Sequence, residues 1–197
     1  MKANPGRFER ITWRGSPIDD EDILAAIPVG LFEVLREMNG FVLGNGVLHV
    51  RGACTVPDWH SLGQAWRGES CFGNFYDRVE AEDIPFAQDS FGDQFLLRDS
   101  AVWRLFAETG EVEEMAADLD EFWRGVREDA EGYLNVPTAD LAPGQLLLAY
   151  PPYCVGDTER EVGLTKLPAA QVIRFHATLA AQLKDVPEGA KIKFNIQ

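Results

Sequence analysis

The sequence has no long apolar segment. No stretch approaches the roughly 18 consecutive apolar residues of a membrane-spanning helix, and no apolar signal-peptide core follows the first six residues. We therefore expect a cytoplasmic protein. An apolar fraction of 46% with 25% charged residues excludes global disorder, and 197 residues suit a single domain.

Cysteine and histidine are scarce, with three residues of each kind. The cysteines are widely spaced, so we expect reduced, mostly buried and inert thiols rather than a disulfide framework. Zinc sites usually contain two closely spaced ligands. No Cys-x-x-Cys or His-x-x-x-His spacing occurs, although His49 and Cys54 share one stretch. The sequence therefore predicts no metal centre.

Motifs of the common enzyme classes are also missing. No Gly-x-Gly-x-x-Gly opens a helix after a strand, and no Walker-type Gly-Lys-Ser/Thr is present. A catalytic carboxylate pair needs an apolar cleft, whereas the acidic residues cluster on predicted helix surfaces. We therefore expect no cofactor and no enzymatic activity; an unrecognised hydrolase is the alternative from that class.

Positive charge is in short supply. Eighteen basic residues stand against 32 acidic ones, which gives a net charge of −14. Nucleic acid and anionic membranes would be repelled, and no basic patch offsets that repulsion. A basic protein is the kind of partner that this charge attracts.

The hydrophobic periodicity between residues 18 and 130 changes from helix to strand and back. Leu31, Val34, Leu35 and Met38 form one helical face that ends at Asn39-Gly40. Alternating strands follow, with a central hairpin over 84–95. These patterns predict an α+β fold, an antiparallel meander flanked by helices. On the strand after the hairpin, alternation predicts that Trp103 is buried and Arg104 is exposed.

The segment from about 137 to 197 is predicted to form an extension on the same domain. An apolar strand over 145–150 precedes a polar surface loop over 156–166. A helix then begins at Pro168, and alternating residues predict a last strand over 192–196. The extension is therefore a strand, a helix and a strand.

Three segments resemble the SUKH superfamily, which contains bacterial immunity proteins and the Smi/Knr-like cell-wall regulators of yeast. Ile27-Pro28-x-x-Leu31-x-x-x-Leu35-x-x-x-Asn39-Gly40 is similar to the entry helix of that family. The stretch from Ile84 to Phe95 is similar to its central hairpin, and Thr109-Gly110-Glu111 with the following helix to its closing strand and helix. The resemblance covers about residues 18–130. In the hairpin, we expect Asp89 and Asp93 to accept backbone hydrogen bonds within the turn.

The resemblance implies a single SUKH-like domain without catalytic activity. It also implies an immunity protein that binds and neutralises a toxin, delivered by neighbouring cells or made by its own. The alternative is an intracellular scaffold or regulator that binds other proteins, as in the eukaryotic relatives. The resemblance names no particular toxin, because the superfamily is paired with many toxin chemistries.

Half of the net charge lies between residues 111 and 131. Nine acidic residues stand there against Arg124 and Arg127, a balance of 2 − 9 = −7. If Leu119, Phe122, Trp123 and Val126 point inward, the helical period places four acidic residues on the outer face: Glu114, Asp118, Glu121 and Glu128. This face is either a solvated surface or the docking surface for a basic toxin, whose association opposite charge accelerates.

An aromatic stretch is the second candidate for partner binding. Phe72 and Phe75 lie close together in the sequence, beside Trp59 and Trp66. Exposed aromatic residues often anchor interfaces, whereas buried ones belong to the core. Both interpretations fit the sequence.

Overall fold

Secondary structure is described for residues 8–69, 71–155, 161–187 and 189–190, in a computed structural model. Seven antiparallel strands form one sheet in chain order: β1 (Ile11–Arg14), β2 (Phe41–Leu43), β3 (Leu48–Val50), β4 (Ile84–Asp89), β5 (Gln94–Arg98), β6 (Ala101–Leu105) and β7 (Val112–Ala116). A separate antiparallel pair contains β8 (Gln145–Tyr150) and β9 (Gly163–Pro168). The helices described are α1 (Glu21–Ala26), α2 (Val29–Glu37), α3 (Leu62–Arg67), α4 (Leu119–Leu134) and α5 (Ala169–Leu183). No helix among these residues is both long and apolar enough to cross a lipid bilayer.

The α+β class and the antiparallel meander are confirmed. Each strand pairs with its neighbours in sequence, and the β4–β5 hairpin lies in the middle of the sheet, as predicted. The sheet begins earlier than the sequence patterns indicated, because β1 pairs with β2 at its edge. Four residues are too few for a clear alternation, so this strand went unpredicted.

The two N-terminal helices begin and end where local chemistry predicts. The Asp20 side chain caps α1 by accepting a hydrogen bond from the Ile23 amide at 3.1 Å. Pro28 precedes α2, whose buried face contains Leu31, Val34 and Leu35. Gly40 follows with φ of +75°, and a methyl group built on it would lie 2.4 Å from His60 Cε1. That position therefore requires glycine for both its conformation and its packing.

Both faces of the sheet are covered, and we name them after the helices that cover them. On the α4 face, Phe95 and Val102 pack in one cluster with Phe122 and Trp123 of α4. On the α5 face, a second cluster contains residues from β5, β6 and α5: Leu96, Leu105, Ala177 and Ala180. A sheet covered on both faces has no side on which a long polar residue would meet solvent by default.

This double coverage corrects the prediction for β6. Arg104 shares the α4 face with Val102, as alternation predicted, but its side chain is only 15% exposed because it pairs with buried carboxylates. Trp103 lies on the α5 face and is half-buried rather than fully buried. The alternation was right, and the assignment of one face to solvent was wrong.

The C-terminal segment packs against the meander. The Leu147 amide of β8 donates to the Ser90 carbonyl at 2.8 Å, and the Leu141 amide donates to the Asn45 carbonyl at 3.0 Å. The strand over 145–150 and the helix after Pro168 are confirmed. The predicted loop over 156–166 is wrong at its end, because β9 begins at Gly163 and pairs with β8. The predicted strand over 192–196 lies outside the described residues.

Candidate functional site

A row of polar side chains crosses the centre of the α5 face. His49, Gln88 and Gln94 lie directly opposite one another on β3, β4 and β5, and all three are buried. Arg51, just after β3, is 2% exposed and donates to the Gln88 and Gln94 side-chain oxygens at 2.8 and 2.7 Å. Burial lowers the pKa of Arg51 to about 9. No sequence motif indicated this network.

The two buried histidines, His49 and His60, continue this row of hydrogen bonds, and each group in it donates to the next. His60 Nε2 lies 3.1 Å from the Asn39 carbonyl oxygen, which can only accept, so this nitrogen carries the proton. In a neutral ring, His60 Nδ1 then accepts from His49 Nε2 at 2.9 Å. His49 Nδ1 in turn accepts from the Gln88 amide at 3.2 Å. Burial lowers the pKa of both rings, that of His60 to about 4, so both stay neutral at neutral pH.

This network is enclosed. The cavity beside His49 and Gln88 has a volume of about 10 Å³, room for about one water molecule. Gly46 and residues 142–146 also contribute to its lining. The histidine pair therefore faces no substrate-sized cleft there, and its hydrogen bonds hold the strands and loops around it together.

Asp89 has the backbone partners predicted within the turn, but Asp93 does not, because its Oδ1 accepts from the Ala107 amide at 2.8 Å, outside the turn. Asp89 Oδ1 accepts from the amides of Phe91 and Asp93 at 2.9 and 3.1 Å. Arg104 Nη2 pairs with both carboxylates, at 2.9 Å from Asp89 and 2.8 Å from Asp93. Burial and the Asp93 charge raise the pKa of Asp89, and the Arg104 charge opposes this rise. Two enclosed carboxylates share one guanidinium, an arrangement that closes the turn.

The cysteines and the remaining ligand-type residues form no cluster. Cys54 is buried and Cys71 half-buried, but Cys154 is exposed, contrary to the expectation for that thiol. Partial burial and Glu108 raise the pKa of Cys154 to about 12, so the thiol stays protonated at neutral pH. In the described parts of the chain, no group of three His, Cys, Asp or Glu residues is arranged to hold a metal ion.

A third buried histidine provides a test of the packing of α5. His176 is 2% exposed, and neither ring nitrogen has a hydrogen-bond partner among the described residues. Burial lowers the pKa of His176 from 6.5 to about 4. Between pH 6.5 and pH 4, His176 is therefore protonated in the unfolded chain but neutral in the folded chain. The free energy of unfolding decreases as the pH falls from 6.5 towards 4.

We expect His176→Met to remove this pH dependence. Its free energy of unfolding should match or exceed that of the wild type at pH 7.5, and the difference in its favour should grow by about 2 kcal/mol at pH 5. Urea denaturation of both proteins at the two pH values measures this difference in the free energy of unfolding. The contributions of Asp89 and the other histidines cancel, because both proteins contain them. A difference that does not change with pH would contradict the neutral, buried assignment.

The acidic side chains at the start of α4 are exposed, and two of them also cap the helix. Asp118 Oδ1 accepts from the Glu121 amide, and Glu121 Oε2 accepts from the Ala117 amide, each at 2.8 Å. Their negative charge stabilises the positive helix N-terminus. Glu128 is exposed two turns further along. These three residues therefore share the outer side of α4, as predicted.

Glu114 does not lie on α4. It belongs to β7 and is directly opposite Trp103, so it shares the α5 face. Its neighbour Glu113 is directly opposite Arg104 and shares the α4 face. Both glutamates are exposed at this edge strand. The helical period was extended too far back into the strand, so the predicted set of four residues is divided between two faces and Glu113 was missed.

The two aromatic candidates, Phe72 and Phe75, differ in their exposure. Phe72 is 4% exposed, and its ring lies 5.2 Å from the Arg51 guanidinium carbon, so it belongs to the core. Phe75 is 40% exposed and stays accessible to a partner. As a pair, the two rings form no joint binding surface.

An exposed apolar surface that the sequence analysis missed lies where α1 meets α2. We call it the apolar corner; its exposed members are Ala25, Ala26, Pro28, Val29 and Phe32. A methyl group built on Gly30 would lie 3.3 Å from Leu119 Cδ1, so the corner borders the first turn of α4. Val29 and Phe32 fall outside the buried helical positions of α2. The helical periodicity of the sequence could therefore have indicated that these two apolar residues are exposed.

No family model, curated protein or solved structure matches this chain.

Proposed function

We propose that this chain is a non-enzymatic, cytoplasmic immunity protein of SUKH-like fold that binds and neutralises a basic toxin domain. The observation that carries the proposal is a set of exposed acidic side chains on the side of the sheet that α4 covers, Glu113 on β7 and Asp118, Glu121 and Glu128 on the outer side of α4, which we call the acidic surface. The net charge of −14 adds a long-range attraction for such a partner. Toxins that act on nucleic acid are basic because the phosphate backbone is negatively charged, and the same positive charge attracts this acidic chain.

The buried polar residues of the segments that resemble the SUKH superfamily have structural roles. This agrees with a protein that binds its partner through its surface. Asn39 is buried and holds two loops, donating to the Ser16 carbonyl at 2.9 Å and accepting from the Ala53 amide at 2.7 Å. Asp89 accepts from the Phe91 amide within the hairpin turn, Asp93 accepts from the Ala107 amide, and both carboxylates pair with Arg104. These groups are occupied by the fold, so the features available to a partner lie on the surface.

Co-expression tests the proposal. The protein domain encoded beside this chain's gene is expressed alone and with the full chain, and growth is measured. We expect the domain alone to arrest growth and the full chain to restore it, with a purified complex of nanomolar affinity. The proposal fails if no neighbouring gene encodes a growth-arresting domain, or if growth is not restored. A neighbouring protein that binds but is harmless would favour the scaffold alternative.

The two glutamates of β7 give a matched test of the binding face. Glu113→Lys and Glu114→Lys change the net charge equally at adjacent positions on opposite faces. We expect Glu113→Lys and Glu128→Lys each to slow association with the toxin domain about 3- to 10-fold at low salt, with a smaller effect of Glu114→Lys. Stopped-flow association rates measure this difference.

Salt dependence is the control for this prediction. The difference between the variants should shrink at 1 M salt, where the Debye length falls to about 3 Å from about 10 Å at 0.1 M. Asp118 and Glu121 are left unchanged, since loss of a cap costs about 1 kcal/mol of stability. Equal slowing by Glu113→Lys and Glu114→Lys would contradict the choice of the α4 face.

A further inference from the structure

The apolar corner is an exposed aliphatic and aromatic surface beside the first turn of α4. Val29 is 72% exposed and Phe32 is 36% exposed, while the residues that α2 buries lie on its other side. Single exposed apolar residues are ordinary in proteins. Five exposed apolar residues among the eight from 25 to 32 form a contiguous patch, and such patches mark interaction sites.

The corner is rigid, which favours binding. The amides of Leu31 and Phe32 donate to the Pro28 carbonyl at 3.0 and 2.9 Å, so the first turn of α2 is closed directly after the proline. Pro28 has a fixed φ and loses little conformational freedom. A partner that contacts Val29 and Phe32 therefore pays little to order this segment.

Acidic groups border the corner on both sides. Glu21 and Asp22 lie in the first turn of α1, which is only six residues long. Beyond Gly30, Leu119 is preceded by the exposed Asp118.

An apolar centre with a charged rim is the usual composition of a protein interface. One cation also lies at the corner, Arg36, whose guanidinium carbon is 5.8 Å from the centre of the Phe32 ring. The three acidic residues outnumber it, so the rim favours a partner with basic residues around an apolar one.

We infer that the apolar corner is the anchoring site of the basic partner, which seats an aliphatic or aromatic side chain against Val29 and Phe32. The inference rests on the proposed function for the partner's identity, and on the exposure and charge of the corner for its chemistry. The acidic side chains steer the encounter, and the corner sets the lifetime of the complex.

An exposed apolar residue outside the corner serves as the comparison. Leu164 of β9 is 47% exposed and lies directly opposite Ala149 of β8. The cationic Lys166 lies on the same short strand as Leu164 and donates to the Asp140 carbonyl. The Lys166 ammonium also lies 3.9 Å from the Asp140 carboxylate, so the two charges balance there. Leu164→Lys therefore serves as the matched variant at an exposed apolar position outside the corner.

A synthetic probe tests the corner without the toxin. The probe is a 14-residue amphipathic peptide of leucine and lysine, and the control peptide has serine in place of leucine. In NMR titrations of the full chain, we expect saturable shift changes centred on 25–32 and the start of α4 with the leucine peptide only. Equal shifts with both peptides, shifts centred on β8 and β9, or no shifts would overturn the inference.

Variants then locate the anchor in the natural complex. Val29→Lys and Leu164→Lys add the same charge at exposed apolar positions, and thermal unfolding verifies that both fold. We expect Val29→Lys to weaken the complex with the neighbouring-gene toxin domain about 10- to 100-fold, mainly through faster dissociation, and Leu164→Lys to change it less than 3-fold.

The two proposals fail in different ways. If the wild-type chain neutralises the toxin but Val29→Lys and Leu164→Lys weaken binding equally, the anchor is elsewhere and the function stands. If the leucine peptide binds the corner but the toxin is not neutralised, the function fails and the corner stays a docking site for basic amphipathic segments. Val29→Thr keeps the side-chain shape and adds no charge, so we expect it to weaken binding in the same direction as Val29→Lys but by less. If Val29→Thr leaves the affinity unchanged, repulsion rather than lost apolar contact explains the effect of Val29→Lys, and the corner is not the anchor.

Discussion

Replacing Arg104 with methionine is expected to lower the free energy of unfolding at pH 7 by about 3–5 kcal/mol. The guanidinium donates from Nε to Asp93 at 2.9 Å, from Nη2 to Asp89 at 2.9 Å and from Nη1 to the Leu134 carbonyl at 2.8 Å. Methionine keeps much of the packing volume but leaves two enclosed carboxylates without a cation. Urea denaturation measures the loss.

Two controls separate this effect from the loss of any arginine. Arg10→Met breaks the pair with Glu131, in which the arginine side chain is 54% exposed, and should cost at most about 1 kcal/mol. Adding Asp89→Asn and Asp93→Asn to the Arg104 variant should restore part of the stability, because the asparagine oxygens still accept backbone hydrogen bonds. If the triple variant is no more stable than Arg104→Met, the uncompensated charge is not the cause.

The stability deficit of Arg104→Met should also depend on pH. Burial already raises the pKa of Asp89 and Asp93, and removing the cation raises it further. A carboxyl group whose folded pKa is raised stabilises the fold at low pH and loses that contribution as the pH rises. The deficit relative to wild type should therefore be smaller at pH 5 than at pH 8.

Replacing Trp123 with alanine should cost about 3–5 kcal/mol, more than the same change at Trp103. Trp123 is 0% exposed, and its ring contacts those of Phe8, Phe86 and Phe122 at centroid distances of 5.0–5.7 Å. Trp103 is half-buried beneath α5, with the Arg98 guanidinium 5.1 Å from its ring. We expect a loss of about 2 kcal/mol there, because its smaller burial stabilises less.

Thermal and urea unfolding of the two alanine variants measure this difference on matched substitutions. Trp123→Ala removes a central contact between α4 and the sheet, so its transition should also broaden if α4 loosens first. If the two variants lose the same free energy of unfolding, Trp103 is fully buried in solution. In that case α5 packs over it tightly and the half-buried assignment is wrong.

Local signals explain why so much of the fold was predictable. Asp20, Pro28 and Gly40 act within a few residues of their own positions, through a cap, a fixed φ and a left-handed φ. The strands around the 84–95 hairpin are joined by short turns, so their order in the sheet follows their order in the chain. Neither signal requires knowledge of distant residues. The class, the meander and the buried side of α2 follow from them.

The candidate site was predictable only in part. Asp118, Glu121 and Glu128 are exposed as the helical period of α4 predicts. Glu114 was misplaced because the pattern does not mark where a strand ends and a helix begins, and both periods fit a short acidic stretch. Phe72 and Phe75 have the same chemistry, so only their packing distinguishes the core residue from the exposed one.

By itself, the sequence determined the net charge of −14, the antiparallel α+β class and the acidic character of the surface. The tertiary structure decided what lies over each face of the sheet. Arg104 is enclosed because Asp89 and Asp93 meet it from another strand and turn, and the apolar corner is a surface because nothing in the described chain covers Val29. Burial depends on residues brought together from distant parts of the chain, and a local pattern contains no information about them.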